Sequence, residues 1–167
     1  MPMARRDAPA GRSGQRGLTL IELVVALAIA AMLALAGAPA FSDYLANSRL
    51  RENGNALYAQ TLFAQSEAIK RNTVVRVAVA DGEITVSDRS DPDTPVVLKT
   101  TPLSYGITAD ATTVDFGGEG RPVAFAAASI NFSHPSLSCS ADIRCPGLRV
   151  DGGGAVRLCG DTSSTCP

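Results

Sequence analysis

Three groups of residues in this 167-residue chain are of types that could do chemistry. Glu22 is a lone carboxylate set into an apolar run. Leu18 to Ile21 precede it, and the nineteen residues from Leu23 to Phe41 carry no charge. A carboxylate among leucines costs several kcal/mol unless it is neutralised or paired, so its chemistry is ion pairing with a cation the run itself lacks. Cys139, Cys145, Cys159 and Cys166 all fall in the last thirty residues. They contain no Cys-x-x-Cys spacing, which suits structural disulfides better than zinc. Arg144, Arg149 and Arg157 gather near the C-terminus, where they could touch phosphates of DNA or simply be solvated.

Other candidates reduce to ordinary structure. His134 is the only histidine, and Ser133-His134-Pro135 reads as a turn with no serine or carboxylate marked as its partner. Gly117-Gly118-Glu119-Gly120 lacks the Lys-Ser/Thr of a phosphate loop. Asp88 to Pro95 holds three aspartates but also Arg89 and two prolines, the pattern of a solvated loop rather than a calcium site. No catalytic residue, cofactor or metal is expected, and the chain is not expected to be an enzyme.

The elements that must position these residues follow from charge and periodicity. Met1 to Gly17 carries Arg5, Arg6, Arg12 and Arg16 against Asp7, so the N-terminus belongs on the cytoplasmic side. The uncharged run spans roughly 28 Å as a helix, about the thickness of a bilayer core. The reading is therefore a leader over 1–17, a transmembrane helix over 18–41 and an amphipathic continuation over 42–72. An extracytoplasmic β-rich domain fills 73–167. The whole-chain charge of −1 hides a leader of +3, which leaves −4 on the rest and no diffuse attraction to nucleic acid. In the continuation, Leu50, Leu57, Leu62, Ala68 and Ile69 form the expected buried stripe, with Gln60 and Gln65 off it. Asn53-Gly54-Asn55 reads as a weak point within it.

Beyond Asn72 the period changes to that of strands. Val75–Val79 and Glu83–Ser87 flank Asp81-Gly82, a type I′ turn signal. Short strands are expected at 96–99, somewhere within 102–110, and at 113–116, 123–125, 129–132, 147–150 and 155–159. One long helix followed by many short strands gives an α+β domain with two small antiparallel sheets. The cysteines then lie outside the cytoplasm, where disulfides persist. Local pairing of Cys139 with Cys145 and Cys159 with Cys166 suits the short, turn-rich loops. A bond from Cys159 back to Cys139 or Cys145 stays open.

Gly17-Leu18-Thr19-Leu20-Ile21-Glu22 resembles the signal of bacterial type IV pilins and type II secretion pseudopilins. The resemblance implies cleavage after Gly17 by a prepilin peptidase and methylation of the new amine on Leu18. The family usually has Phe where this chain has Leu18. It also implies that Glu22 is an assembly determinant, pairing with the amine of a neighbouring subunit, and that Pro39 kinks or locally melts the helix, with Ser42-Asp43 capping a restart. The stretches Phe41–Arg51 and Ala64–Asn72, with the closing Gly154-Ala155-Val156-Arg157-Leu158-Cys159, are similar to the GspH/FimT family of minor pilins and pseudopilins. That similarity implies a long helix packed on a small antiparallel β-sandwich. The implied partners are the peptidase, other pilin or pseudopilin subunits and the inner membrane, with the C-terminus in the periplasm or on a filament. The Ser66–Asn72 stretch looks more like the pilus branch than the secretion branch. Some FimT-like proteins bind DNA during uptake through a Gly-Arg-x-Arg-like element, where this chain has Gly147-Leu148-Arg149. For such a site Asp151 is the acidic competitor of Arg149. A rival reading takes Ala38-Pro39-Ala40 as an ordinary signal-peptidase site before a secreted domain, but Glu22 and the length of the apolar run oppose it.

Overall fold

The structure is a computed structural model that describes residues 19–110, 112–164 and 166. Gly17 and Leu18 lie outside the described residues. The chain divides into two units, Met1–Pro39 and Ala40–Pro167.

In the first unit the described chain is the start of helix α1, Leu20–Arg71. Its leucines, valines and isoleucines from Leu20 to Leu35 are exposed along their whole length. Among the described residues this is the one helix long and apolar enough to cross a membrane. It runs without interruption through Pro39, so Ser42 and Asp43 are helical residues rather than the cap of a restarted segment. An interior proline removes its own N–H from the ladder and crowds the carbonyl four residues back, and the helix-favouring alanines around Pro39 oppose that cost.

The second unit is built on the remainder of α1. Its buried face comprises Ala46, Leu50, Asn53, Gly54, Leu57, Gln60, Thr61, Ala64, Glu67 and Ala68, a row at three- and four-residue intervals. This corrects the stripe expected from the sequence. Leu62 and Ile69 are exposed, while Gln60 and Glu67 are buried. Asn53-Gly54 is no weak point but part of the contact. A Cβ on Gly54 would sit 3.1 Å from Pro146 Cγ and 3.4 Å from Leu158 Cδ1, so glycine lets the tail approach the helix closely.

The C-terminus of α1 is closed by a left-handed Asn72 (φ 52°). Thr73 N–H donates to Ala68 O and Asn72 N–H to Ile69 O, the paired bonds of a Schellman cap. Glu67 takes Arg71 at 2.7 Å and Lys70 at 3.2 Å, and Arg71 reaches on to Asp88 at 3.4 Å.

Two antiparallel sheets follow. The first has the order β3-β2-β1-β5, from β1 (Val75–Ala80), β2 (Glu83–Asp88), β3 (Val96–Pro102) and β5 (Thr112–Phe116). The second has the order β4-β6-β7-β8, from β4 (Thr108–Ala109), β6 (Ala128–Ser133), β7 (Gly147–Val150) and β8 (Val156–Cys159). Asp81 and Gly82 both have positive φ, as a type I′ hairpin between β1 and β2 requires. Alternation buries Val75, Val77 and Val79 and turns Arg76 outward, where it grips Asp115 of β5 with two bonds of 2.6 and 2.7 Å. Ile84, Val86, Val114 and Phe116 of the first sheet share one core with Ile130, Phe132, Leu148 and Val150 of the second and with the α1 face. The expected strand at 123–125 is instead a single 3₁₀ turn, Val123–Phe125, with positive φ at Ala124 and Phe125. The fold is α+β, a long helix packed on antiparallel sheets.

Candidate functional site

Thr19 and Glu22 open α1 as a reciprocal pair. Thr19 N–H and its hydroxyl both donate to Glu22 Oε2 at 2.8 Å, and Glu22 N–H donates to Thr19 Oγ1 at 3.3 Å. This is a capping box: each side chain satisfies a backbone donor that the first turn leaves over. The Thr-x-x-Glu spacing ahead of an apolar run was readable in the sequence. Reading Glu22 only as a costly charge misses its local partner.

The C-terminal cysteines pair locally. Cys139 bonds Cys145 and Cys159 bonds Cys166, with Cα atoms 5.7 and 5.4 Å apart. The first loop is tied to the helix by Asn47, whose amide donates to Asp142 O at 2.6 Å and whose carbonyl oxygen accepts from Arg144 N–H at 2.8 Å. Two further amides on α1 do similar work. Asn53 accepts from Ser104 N–H at 2.8 Å, and Gln65 donates to Gly120 O and Gly154 O at 2.6 and 2.9 Å. Sequence reasoning found none of these three clamps, because an amide within a helix gives no sign of the loop it will meet.

Arg144, Arg149 and Arg157 do come together. With Arg51 of α1 they line a groove of roughly 1540 Å³ that also holds Asp151 and Asp161. Arg149 and Arg157 are direct cross-strand partners on β7 and β8. Arg149 turns one guanidinium nitrogen to Leu148 O at 3.0 Å. Asp151 engages Arg157 at 3.4 Å rather than Arg149. The N–H of Ala155 above all, then those of Gly153 and the charge of Arg157, hold the Asp151 carboxyl below its ordinary pKa. Asp161 is likewise lowered, chiefly by Ser163 and to a lesser degree by Arg144. Both aspartates are therefore anionic at neutral pH and offset part of the arginine charge. His134 accepts from Ser136 N–H at 3.3 Å within its own turn.

A family model described as "Type II transport protein GspH" matches residues 53–165, more than half of the chain. The chain belongs to the GspH family. A second model, the prokaryotic N-terminal methylation motif, matches residues 12–38. The fold is shared with the type IV minor pilin FimU of Pseudomonas aeruginosa, at 13% identity and a TM-score of 0.59, over 71% of this chain and 93% of that one. The minor pseudopilin EpsH from the type 2 secretion system of Vibrio cholerae is also similar, at 13% identity and a TM-score of 0.56, over 67% and 97%. GspH-family chains are structural pilin or pseudopilin subunits rather than enzymes.

Proposed function

We propose that this chain is a minor pilin or pseudopilin made as a precursor and incorporated into a type IV pilus or type II secretion filament. Prepilin peptidase cuts between Gly17 and Leu18, and the amine of Leu18 is methylated. The observation that carries the reading is one continuous helix with two different surfaces. From Leu20 to Leu35 its apolar side chains are all exposed, and from Ala46 to Ala68 one face is the spine of a GspH domain. An exposed apolar helix needs a lipid or protein solvent. The inner membrane supplies the first, and neighbouring subunits supply the second after extraction. The arginine-rich leader keeps the N-terminus cytoplasmic and delivers the domain to the periplasm. Glu22 then guides assembly by pairing with a neighbour's Leu18 amine, and Pro39 eases bending between the segments 18–41 and 42–72.

The groove favours a second reading, in which Arg144, Arg149 and Arg157 contact DNA during uptake. Three phosphate contacts give a log–log salt slope no steeper than about −2.7. The two groove aspartates weaken this reading.

The deciding experiment is intact mass and N-terminal sequencing of protein extracted from membranes. A chain beginning at methylated Leu18 is expected. A chain beginning at Phe41 means ordinary signal-peptidase cleavage after Ala40 and overturns the filament reading.

A further inference from the structure

The arginine groove runs beside an open sheet edge. β8 ends the order β4-β6-β7-β8, and among the described residues no strand lies beyond it. The direction of its free backbone groups can be worked out. Residues of β7 and β8 pair as Gly147↔Cys159, Leu148↔Leu158, Arg149↔Arg157 and Val150↔Val156. Just past the ladder, and in the same register, Asp151 N–H donates to Ala155 O. Bonded and non-bonded pairs alternate in an antiparallel ladder, so Arg149 with Arg157 and Gly147 with Cys159 are the bonded pairs. The N–H and C=O of Val156 and Leu158 therefore point away from β7, and Leu158 and Arg157 are also among the residues that line the groove.

We infer that this edge is a strand-addition site for an extended acidic segment of a partner protein. Main-chain bonds to Val156 and Leu158 would hold the segment. Charge selects its sequence: Arg157 and Arg149 flank it from the outer face of the sheet, and Arg51 of α1 and Arg144 of the disulfide loop lie along the same groove. Both groove aspartates already have donors. Asp151 is held by Ala155 N–H at 2.9 Å and Gly153 N–H at 3.0 Å, and Asp161 by Ser163. The exposed Arg157–Asp151 pair at 3.4 Å is weak enough for an incoming carboxylate to displace.

The two sheets have four end strands, β3, β5, β4 and β8, and of the others β3 differs in kind. It is exposed over most of its length, a bulge disturbs its pairing at Val86/Ser87, and it carries Lys99 and Pro102. Bulges, lysines and prolines are devices that keep an edge from pairing. β8 is short and carries the exposed Arg157, but it has no proline, no lysine and no bulge opposite it. A site for a peptide on the domain surface goes beyond the filament reading, and it stands or falls apart from cleavage at Gly17.

The test uses the full chain in detergent micelles and fluorescence anisotropy with a synthetic peptide of about eight residues, alternating glutamate with valine and threonine. Two further peptides carry backbone N-methyl groups at alternate positions, one at odd positions and one at even. Alternate N–H groups of a strand face opposite sides, so only one phase of methylation blocks pairing with β8. The expected result is at least about tenfold weaker binding for one phase and unchanged binding for the other. A lysine-for-glutamate peptide should not bind, and Val156→Pro, which removes an outward N–H at an edge that tolerates proline, should weaken binding as the blocking phase does. Equal binding of both methylated peptides shows simple charge attraction and overturns the proposal. So does complete displacement of the peptide by duplex DNA together with no effect of either methylation, which assigns the groove to nucleic acid.

Discussion

Replacing Glu22 by Gln separates two roles that replacement by Ala or Leu would confound. In the structure both Thr19 donors converge on one oxygen, Oε2, at 2.8 Å. A glutamine has one amide oxygen to offer in that place, and Gln serves in capping boxes as Glu does. Glu22→Gln therefore keeps the cap and loses only the attraction of a negative charge to the helix N-terminus. Glu22→Leu also loses the acceptor of the Thr19 N–H, one half of the capping box, while Thr19 Oγ1 can still accept from the N–H of residue 22. Neither loss can unravel a helix as long as α1, and leucine removes a polar group from the membrane, so both variants should insert. If Glu22 acts only as a cap, Gln should assemble like the parent and Leu should be modestly impaired. If its charge pairs with a neighbour's amine, Gln and Leu should fail alike, because an amide cannot neutralise an ammonium in low dielectric. The assay compares incorporation into sheared filaments with the amount in the membrane, in cells lacking the parent copy. Wild-type incorporation of the Gln variant refutes the pairing argument.

Further outcomes concern the domain. Asn53→Ala removes the acceptor of Ser104 N–H, and after crediting alanine's better helix propensity it should cost about 1–2 kcal/mol, a fall in Tm of roughly 5 °C on thermal unfolding; an unchanged Tm shows the clamp is idle. Non-reducing peptide mapping should recover Cys139–Cys145 and Cys159–Cys166 and no free thiol, and replacing Cys159 and Cys166 by Ser should cost about 2 kcal/mol; a Cys159 bond to Cys139 or Cys145 contradicts the structure. Glu67 is held below its ordinary pKa by Arg71 and then Lys70, and Asp88 by Ser90 N–H and then Arg71. Folded values below unfolded ones give stability that is fully present above the unfolded carboxylate values of about 4 and is lost as pH falls through the lowered folded ones. Glu67→Gln should flatten that acid limb in pH-dependent unfolding, and an identical limb removes Glu67 from it.

Strands were the legible part of the domain because their signals are local. Val75, Val77 and Val79 alternate with exposed neighbours, and Asp81-Gly82 accepts positive φ at both positions. Val123-Ala124-Phe125 failed for the complementary reason. Three apolar residues carry no period, and their 3₁₀ turn is set by hydrogen bonds from Phe125 N–H to Pro122 O and from Ala126 N–H to Val123 O. The N-terminal methylation motif is legible as a resemblance, whereas the charge of Glu22 hides the local cap it forms with Thr19. On α1 hydrophobicity itself misled. Leu62 and Ile69 looked inward by type yet are exposed, and Asn53 and Gln60 looked outward yet are buried. A helix that docks on loops as well as strands must meet backbone groups that no ladder satisfies, as Asn53 does for Ser104 N–H; Gln60 is buried without that reason, its Oε1 having no hydrogen-bond partner among the described residues.

That requirement gives the groove its dependence on the helix. Asn47 fixes the backbone at Asp142 and Arg144, which places one rim arginine. Gln65 holds Gly154 O, in the turn that joins β7 to β8, and the same turn carries Asp151. Gly54 lets Leu158 of β8 and Pro146 approach α1 closely. Three positions on α1 thus hold segments that carry lining residues of one surface, though none contributes a charge to it. A slip of α1 by one residue would move all three together, since side chains on a helix rotate about 100° per residue. The groove cannot shift on the sheet without breaking these contacts. Its geometry is therefore a property of how α1 docks on the second sheet, and the face of α1 that looks least like a core is the face that builds it.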